Sequence, residues 1–159
     1  MSFAEFAERH RPEILRYLVR LLGNEADAQD ACQDVFLRAQ PAFVRLAPGS
    51  NSRAWLYRIA TNNALNAKRQ RARLAARDVH VDLDTLSAVD AGEPRDELRA
   101  LRRAVTALPA RQRAALMLRQ FHDMSYAEIA ASVGGNEGTA RANVYQALKK
   151  LRAALGGEQ

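Results

Sequence analysis

Apolar residues recur at intervals of three and four along most of the chain, the period of helices with one buried face. From Ser2, which forms a capping box with Glu5, a first helix runs past Pro12 through Ile14, Leu15, Leu18, Leu21 and Leu22 to Gly23. Asn24 opens a second helix, EADAQDACQDVFLRAQ. It turns Ala28, Ala31/Cys32, Val35 and Phe36 inward and leaves Asp30, Gln33, Asp34 and Leu37 outward or on the flank. The acids Glu25, Asp27 and Asp30 suit the positive end of that helix's dipole. Residues 41–52, PAFVRLAPGSNS, are rich in turn formers and predict a loop. A third helix follows, SRAWLYRIATNNALNAKRQRARLAAR, burying Trp55/Leu56, Ile59/Ala60 and Ala64/Leu65.

The helical period lapses over residues 78–95 and resumes near Asp96, with Leu98, Leu101, Val105 and Leu108 inward. Pro109 interrupts it and serves as a first-turn residue for ARQRAALMLRQF, whose apolar positions are Ala114/Ala115, Leu118 and Phe121. Ser125 with Glu128 makes a second capping box, so another helix starts at Ser125 and stops at Gly134. Gly134 and Gly135 supply the positive φ of a sharp reversal, and Asn136 caps the last helix. There Ala140, Val144, Ala147/Leu148, Leu151 and Leu155 share one face, while Arg141, Ala142, Tyr145, Gln146 and Lys149 point away. A helix, a tight turn and a second helix with a polar, basic outer stripe is a geometry that fits a DNA groove.

Composition sharpens this picture into an all-α protein. Hydrophobic residues make up 48% of the 159 but aromatics only 6%, and glycine and proline are sparse, which favours packed helices over sheet. Lysine and arginine exceed aspartate and glutamate by 24 − 18 = 6, a balance that attracts a polyanion, and nucleic acid is the obvious one. The charge is unevenly placed. Arg53, Arg58, Lys68, Arg69, Arg71, Arg73 and Arg77 lie in the third helix with no acid among residues 53–77. Cations at phosphates release counterions and give sequence-independent affinity. Phe43, Trp55 and Tyr57 lie in and beside this stripe, although the spacing of Trp55 suits core packing more readily than base stacking. Residues 78–97 invert the balance, with seven acids against one arginine, and read as a flexible acidic linker. Two helical modules result, residues 1–77 and 96–159, joined by 78–95.

Several chemistries find no constellation. His10, His80 and His122 are far apart and show no HxxxH or HExxH spacing, so neither a metal site nor a cofactor is expected. Residues 134–138, GGNEG, lack the preceding strand and the following Lys-Ser/Thr of a phosphate loop. Cys32 is the single cysteine, so no intrachain disulfide forms, and a reducing cytosol suits the chain. No apolar run approaches the roughly 18 residues of a membrane span, and the N-terminus carries acids, so neither targeting nor membrane insertion is expected.

Taken in order, DAQDACQDVFLRA, SRAWLYRIATNNALNAKR and LPARQRAALMLRQFHDMSYAEIAASVGGNEGTARANVYQALKKLR resemble the extracytoplasmic-function sigma factors, promoter-specificity subunits of bacterial RNA polymerase. The resemblance covers nearly the whole chain. It implies a region 2 helical bundle at 1–77 for polymerase binding and −10 melting, and a region 4 helix-turn-helix at 96–159 for −35 recognition. It assigns Asp30, Gln33, Asp34 and Phe36 to the β′ clamp helices. Arg53, Trp55, Arg58, Thr61, Asn62, Lys68 and Arg69 fall to the melted −10 strand, beside the loop at 41–52. Thr139, Arg141, Ala142, Tyr145 and Gln146 fall to the −35 major groove, with Lys149 and Lys150 nearer phosphates. The implied partners are core polymerase, through the β′ clamp helices and the β flap, promoter DNA and an anti-sigma factor, all met in the bacterial cytoplasm. By the same resemblance the linker threads toward the RNA exit path. The chain departs from the family pattern at Gly135, usually aliphatic, at Ala142 and Asn143, usually serine and arginine, and at Thr61 and Asn66, where arginine and aspartate are frequent. These departures bear on which promoter is read more than on the class of function. Two other readings stay open: a sigma-like mimic that titrates an anti-sigma factor, and an autonomous helix-turn-helix regulator.

Overall fold

The computed structural model describes residues 1–77 and 96–156, with side chains at 68, 70–72 and 74–77 excepted, and the expected linker at 78–95 lies outside the described residues. Seven helices and no strand occur among the described residues. They are α1 Phe3–Leu22, α2 Glu25–Phe43, α3 Ser52–Arg77, α4 Asp96–Thr106, α5 Ala110–Phe121, α6 Tyr126–Val133 and α7 Glu137–Gly156.

Local signals set most of the boundaries. Ser2 Oγ accepts from the Glu5 N–H (3.1 Å), the forward half of the expected box. Gly23, at φ 74°, closes α1 by donating its N–H to the Val19 carbonyl (2.8 Å), and Asn24 Oδ1 then accepts from the Asp27 N–H (3.1 Å) to start α2. One boundary differs from expectation. The helix does not end at Pro41 but continues to Phe43. A proline this close to the C-terminus removes one backbone bond, that to the carbonyl of Leu37, whose residue is exposed to water. The Phe43 ring holds the last turn in place against Phe3 (5.4 Å between centroids) and Phe6 (4.9 Å). The loop is therefore confined to 44–51, and Asn51 Oδ1 caps α3 by accepting from the Ala54 N–H (3.0 Å).

In the first module α1, α2 and α3 pack on one another around Ile14, Tyr17, Leu18, Val35, Leu56 and Tyr57, none of which retains solvent exposure. Each such side chain contributes about 1.5–3 kcal/mol relative to its exposed state. In the second module α7 packs on α4, α5 and α6, with Leu118, Met124, Ile129 and Val144 central. Here four apolar residues are more exposed than their spacing predicts. Leu98 and Leu101 are 42% and 38% exposed, because α4 packs chiefly on α7 and only its far end at Val105, with Leu108 in the following turn, reaches the core. Leu155 is 44% exposed, since α7 outruns the helices that cover it. Phe121 is 56% exposed and carries the Arg20 guanidinium on its ring at 4.0 Å. Pro109 is the N-cap of α5, one position before the helix it was expected to begin.

The modules share one core. Helix α3 lies against α6 and α1 against α5, and the buried residues form a single cluster running through both modules. Arg113 of α5, almost fully buried, donates from Nη1 to the Leu21 carbonyl (2.7 Å) at the C-terminus of α1. That bond places a cation at the negative end of the α1 dipole.

Candidate nucleic-acid and protein interfaces

The α6–turn–α7 unit is fixed by its own short-range bonds. Ser125 Oγ accepts from the Glu128 N–H (3.1 Å) while Glu128 Oε1 accepts from the Ser125 N–H (3.0 Å), completing the capping box. Gly134 and Gly135 have φ 105° and 89°, as the turn required. A Cβ at Gly135 would sit 3.2 Å from the Thr139 side chain, so both backbone and space favour glycine there. Asn136 Oδ1 accepts from the Thr139 N–H (2.8 Å) and hydroxyl (3.0 Å), so Thr139 is committed to the cap of α7 while remaining exposed.

Along α7 the inner positions Ala140, Val144 and Ala147 are buried, and Arg141, Ala142, Tyr145, Gln146, Lys149 and Lys150 are all exposed on the outside. The Tyr126 ring lies between two guanidinium groups, Arg119 at 4.3 Å and Arg141 at 4.9 Å. Arg141 is also 3.7 Å from Glu137, an exposed pair of small energetic weight that a DNA contact can replace.

On α3 the expected strand-binding residues separate into groups. Asn62 and Arg69 are exposed, and the Lys68 side chain lies outside the described residues. Thr61 is corrected. It has no exposed surface, and its hydroxyl is engaged with Tyr17 Oη (2.7 Å) and donates to the Tyr57 carbonyl (2.8 Å). Its place in the family pattern is thus occupied by a core residue. Trp55 is partly buried beside Phe6 (6.3 Å) and Phe43 (6.4 Å), as core packing required. On α2, Asp30, Gln33 and Asp34 are exposed together with Leu37, but Phe36 is only 5% exposed. Phe36 lies beneath the Arg11 guanidinium (4.9 Å) and beside Phe3, so it supports the surface rather than forming it.

Arg53, partly buried, and Arg58, which stays exposed, both donate to the second module. Arg53 Nη2 donates to the His122 carbonyl (3.0 Å) and Arg58 Nη1 to the Ala131 carbonyl (3.4 Å), while Asn51 Nδ2 donates to Glu128 (3.3 Å). Beneath them lies a network that the sequence did not announce, of Glu13, Tyr17, Tyr57 and His122. Glu13 Oε1 accepts from Arg53 Nε (3.0 Å) and from the Tyr57 hydroxyl (2.7 Å), and Glu13 Oε2 meets His10 Nδ1 at 2.7 Å. The Tyr57 oxygen is also 2.8 Å from His122 Nδ1. Burial alone would raise the Glu13 carboxyl, but its bonds with His10, Tyr57 and Arg53 outweigh it and hold the carboxyl below its usual range. Burial, together with the Glu13 charge, pushes the Tyr57 phenol well up. Burial also drives His122 down to about 4. The Glu13 charge opposes that shift, and Arg20, Arg53 and Arg16 reinforce it. Apart from His10 and Glu13, which are three residues apart, the bonded partners lie 40, 44 and 65 residues apart in sequence, so only the helix periodicity of each element hinted at them.

Residues 6–74 match the family model described as Sigma-70 region 2, and residues 98–151 that described as Sigma-70, region 4. The ECF RNA polymerase sigma factor SigE of Mycolicibacterium smegmatis is 33% identical over 97% of this chain, which spans 62% of that relative's length. The RNA polymerase sigma factor CarQ of Myxococcus xanthus is 30% identical, with 98% of this chain and 90% of the relative covered. RNA polymerase sigma-H factor of Pseudomonas aeruginosa is 31% identical, with 92% and 82% covered. Among solved structures, the sigma factor RpoE in complex with the anti-sigma factor NepR from Bartonella quintana aligns at a TM-score of 0.77 and 25% identity over 99% of this chain and 98% of the other. CnrH in complex with the cytosolic domain of CnrY aligns at 0.69 and 26%, covering 99% and 89%.

Proposed function

Because the chain belongs to the extracytoplasmic-function branch of the sigma-70 family, we propose that it binds core RNA polymerase and directs it to promoters bearing paired −35 and −10 elements. The observation that carries this reading is the open outer face of α7, a row of polar and basic side chains set on a helix-turn-helix and exposed among the described residues. In this reading residues 1–77 and 96–159 are the two working modules and 78–95 their tether. Arg141 pairs with guanine and Gln146 with adenine in the −35 major groove, and Lys149 and Lys150 neutralise phosphates. Arg53, Arg58, Asn62 and Arg69 hold the melted −10 strand, where capture of an unstacked base offsets part of the cost of opening the duplex. Thr61 and Trp55 shape that helix from within. Asp30, Gln33 and Asp34 meet the β′ clamp helices, with Phe36 bracing them, and the second module meets the β flap.

The protein works by binding, without a reaction of its own, beside polymerase in the cytoplasm. Its partner in the unstressed cell is an anti-sigma factor, by analogy with the two solved neighbours. The test is in vitro transcription with core polymerase on promoters selected by the reconstituted holoenzyme. Initiation that needs both protein and core supports the proposal. Tight duplex binding without core, or core association without initiation, overturns it in favour of a regulator or a mimic.

A further inference from the structure

The two arginines with the most direct claim on promoter DNA are the two that the second module holds by its own backbone carbonyls, at His122 and Ala131. Both carbonyls lie at helix C-termini, of α5 and α6, where the negative end of the dipole favours a cation. Arg111 donates to Val133 O (2.7 Å) at the same end of α6, so Arg58 and Arg111 together cap it. A phosphate and this helix end therefore compete for the same guanidinium.

His122 is the side chain that closes this junction. It is 7% exposed, on the turn between α5 and α6, and its ring inserts between module-one helices. It meets Tyr17 edge-on (5.6 Å, 89°) and Tyr57 at 5.3 Å. Tyr57 donates its proton to Glu13, so its oxygen accepts from His122 Nδ1–H, which leaves Nε2 as the unprotonated nitrogen. That Nε2 is buried and has no hydrogen-bond partner. A second proton would place an N–H donor where nothing accepts it. The charged groups around the ring are Glu13, Arg16 and Arg20 from α1 and Arg53 from α3, three cations against one carboxylate already shared by Arg53 and Tyr57. Asp123, next in the turn, is exposed.

We propose that the contact between the modules is a self-masking latch bolted by neutral His122, which withholds Arg53 and Arg58 from nucleic acid, and that protonation of His122 releases it. The inference rests on the reading of Arg53 and Arg58 as strand-binding residues, but the latch itself is a property of the free chain. With the ring at about 4 when closed and near its ordinary 6.5 when released, the closed-to-open ratio falls about tenfold between pH 7.5 and 5.5. Since the contact with the second module occupies Arg53 and Arg58 only in the closed form, the part of the affinity for nucleic acid that depends on them rises by up to the same factor.

The test uses the full chain, its His122→Phe variant, which keeps a ring but cannot titrate, and Tyr57→Phe, which removes the hydroxyl that His122 engages. Small-angle scattering reads the separation of the modules, far-UV circular dichroism verifies that the helices persist, and anisotropy of a fluorescein-labelled single-stranded oligonucleotide reads binding. Wild type is expected to expand at pH 5.5 with helicity retained and to bind up to about tenfold tighter. His122→Phe is expected to stay closed at both values, and Tyr57→Phe to be expanded already at pH 7.5. His10 and His80 remain in every variant, so a response they cause would persist in His122→Phe. Equal pH responses in wild type and His122→Phe, or no expansion of wild type, overturn the latch. Failure to support transcription at pH 7.5 while the scattering difference holds overturns the promoter reading and leaves the latch standing.

Discussion

At the scale of single residues, burial separates side chains that look alike in the sequence. Thr61 and Asn62 are neighbours on one helix, yet Thr61 is sealed against Tyr17 and Asn62 is exposed. Thr61→Val is therefore expected to cost about 1–3 kcal/mol by orphaning the Tyr17 hydroxyl. It should lower the melting temperature while leaving the salt dependence of DNA binding unchanged. Gly135→Ala forces a side chain into φ 89° and against Thr139, and about 1–3 kcal/mol of strain is expected in thermal unfolding. On α7, Arg141→Ala should weaken −35 binding with loss of base preference, whereas Lys149→Ala should weaken all sequences about equally and flatten the salt slope. Equal losses for Arg141→Ala on cognate and scrambled promoters would refute its role. The Glu13 carboxyl, held below its usual range, contributes stability that is present above that range and is lost as pH falls through the lowered value. Glu13→Gln should accordingly flatten the acid limb of a stability-against-pH curve.

At the scale of elements, caps and periodicity explain where helices begin, and neighbours explain where they end and what they bury. The Ser2 cap, of which only the forward half of the expected box forms, the Ser125–Glu128 capping box, the stop at Gly23 and the Gly134–Gly135 turn were legible, because each depends on residues within four positions of one another. The extra turn of α2 past Pro41 was not, because it depends on Phe3 and Phe6, reached only by folding. Helix α4 has the apolar spacing of a core helix but lies at the rim, with Leu98 and Leu101 partly in water. Leu98→Glu should thus shift stability by no more than about 0.5 kcal/mol, unlike Leu118→Ala in the fully buried stripe of α5, for which a loss of about 2–5 kcal/mol is expected on chemical denaturation.

At the scale of the whole molecule, a single core joins the two modules in the closed form. The Arg113 bond to Leu21 O is a buried polar link between them. Arg113→Ala is expected to leave that carbonyl unpaired at a cost of about 1–3 kcal/mol, and to split one calorimetric transition into two. An unsplit transition would mean that the α1–α5 and α3–α6 packing and the His122 contacts couple the modules without it. The sequence by itself determined the helical class, the order of the two modules, the helix-turn-helix with its outward row from Arg141 to Lys150, and the family. The family rests on the resemblance of three ordered motif blocks, and the rest on periodicity, caps and residues close together in the chain. Periodicity had already turned Phe36 inward, but only the tertiary structure decided that Thr61 is sealed in the core, and that Arg53 and Arg58 donate to the second module. It alone joined Glu13, Tyr57 and His122 in one network. Those outcomes turn on desolvation and on contacts between residues far apart in the chain, which no local pattern encodes.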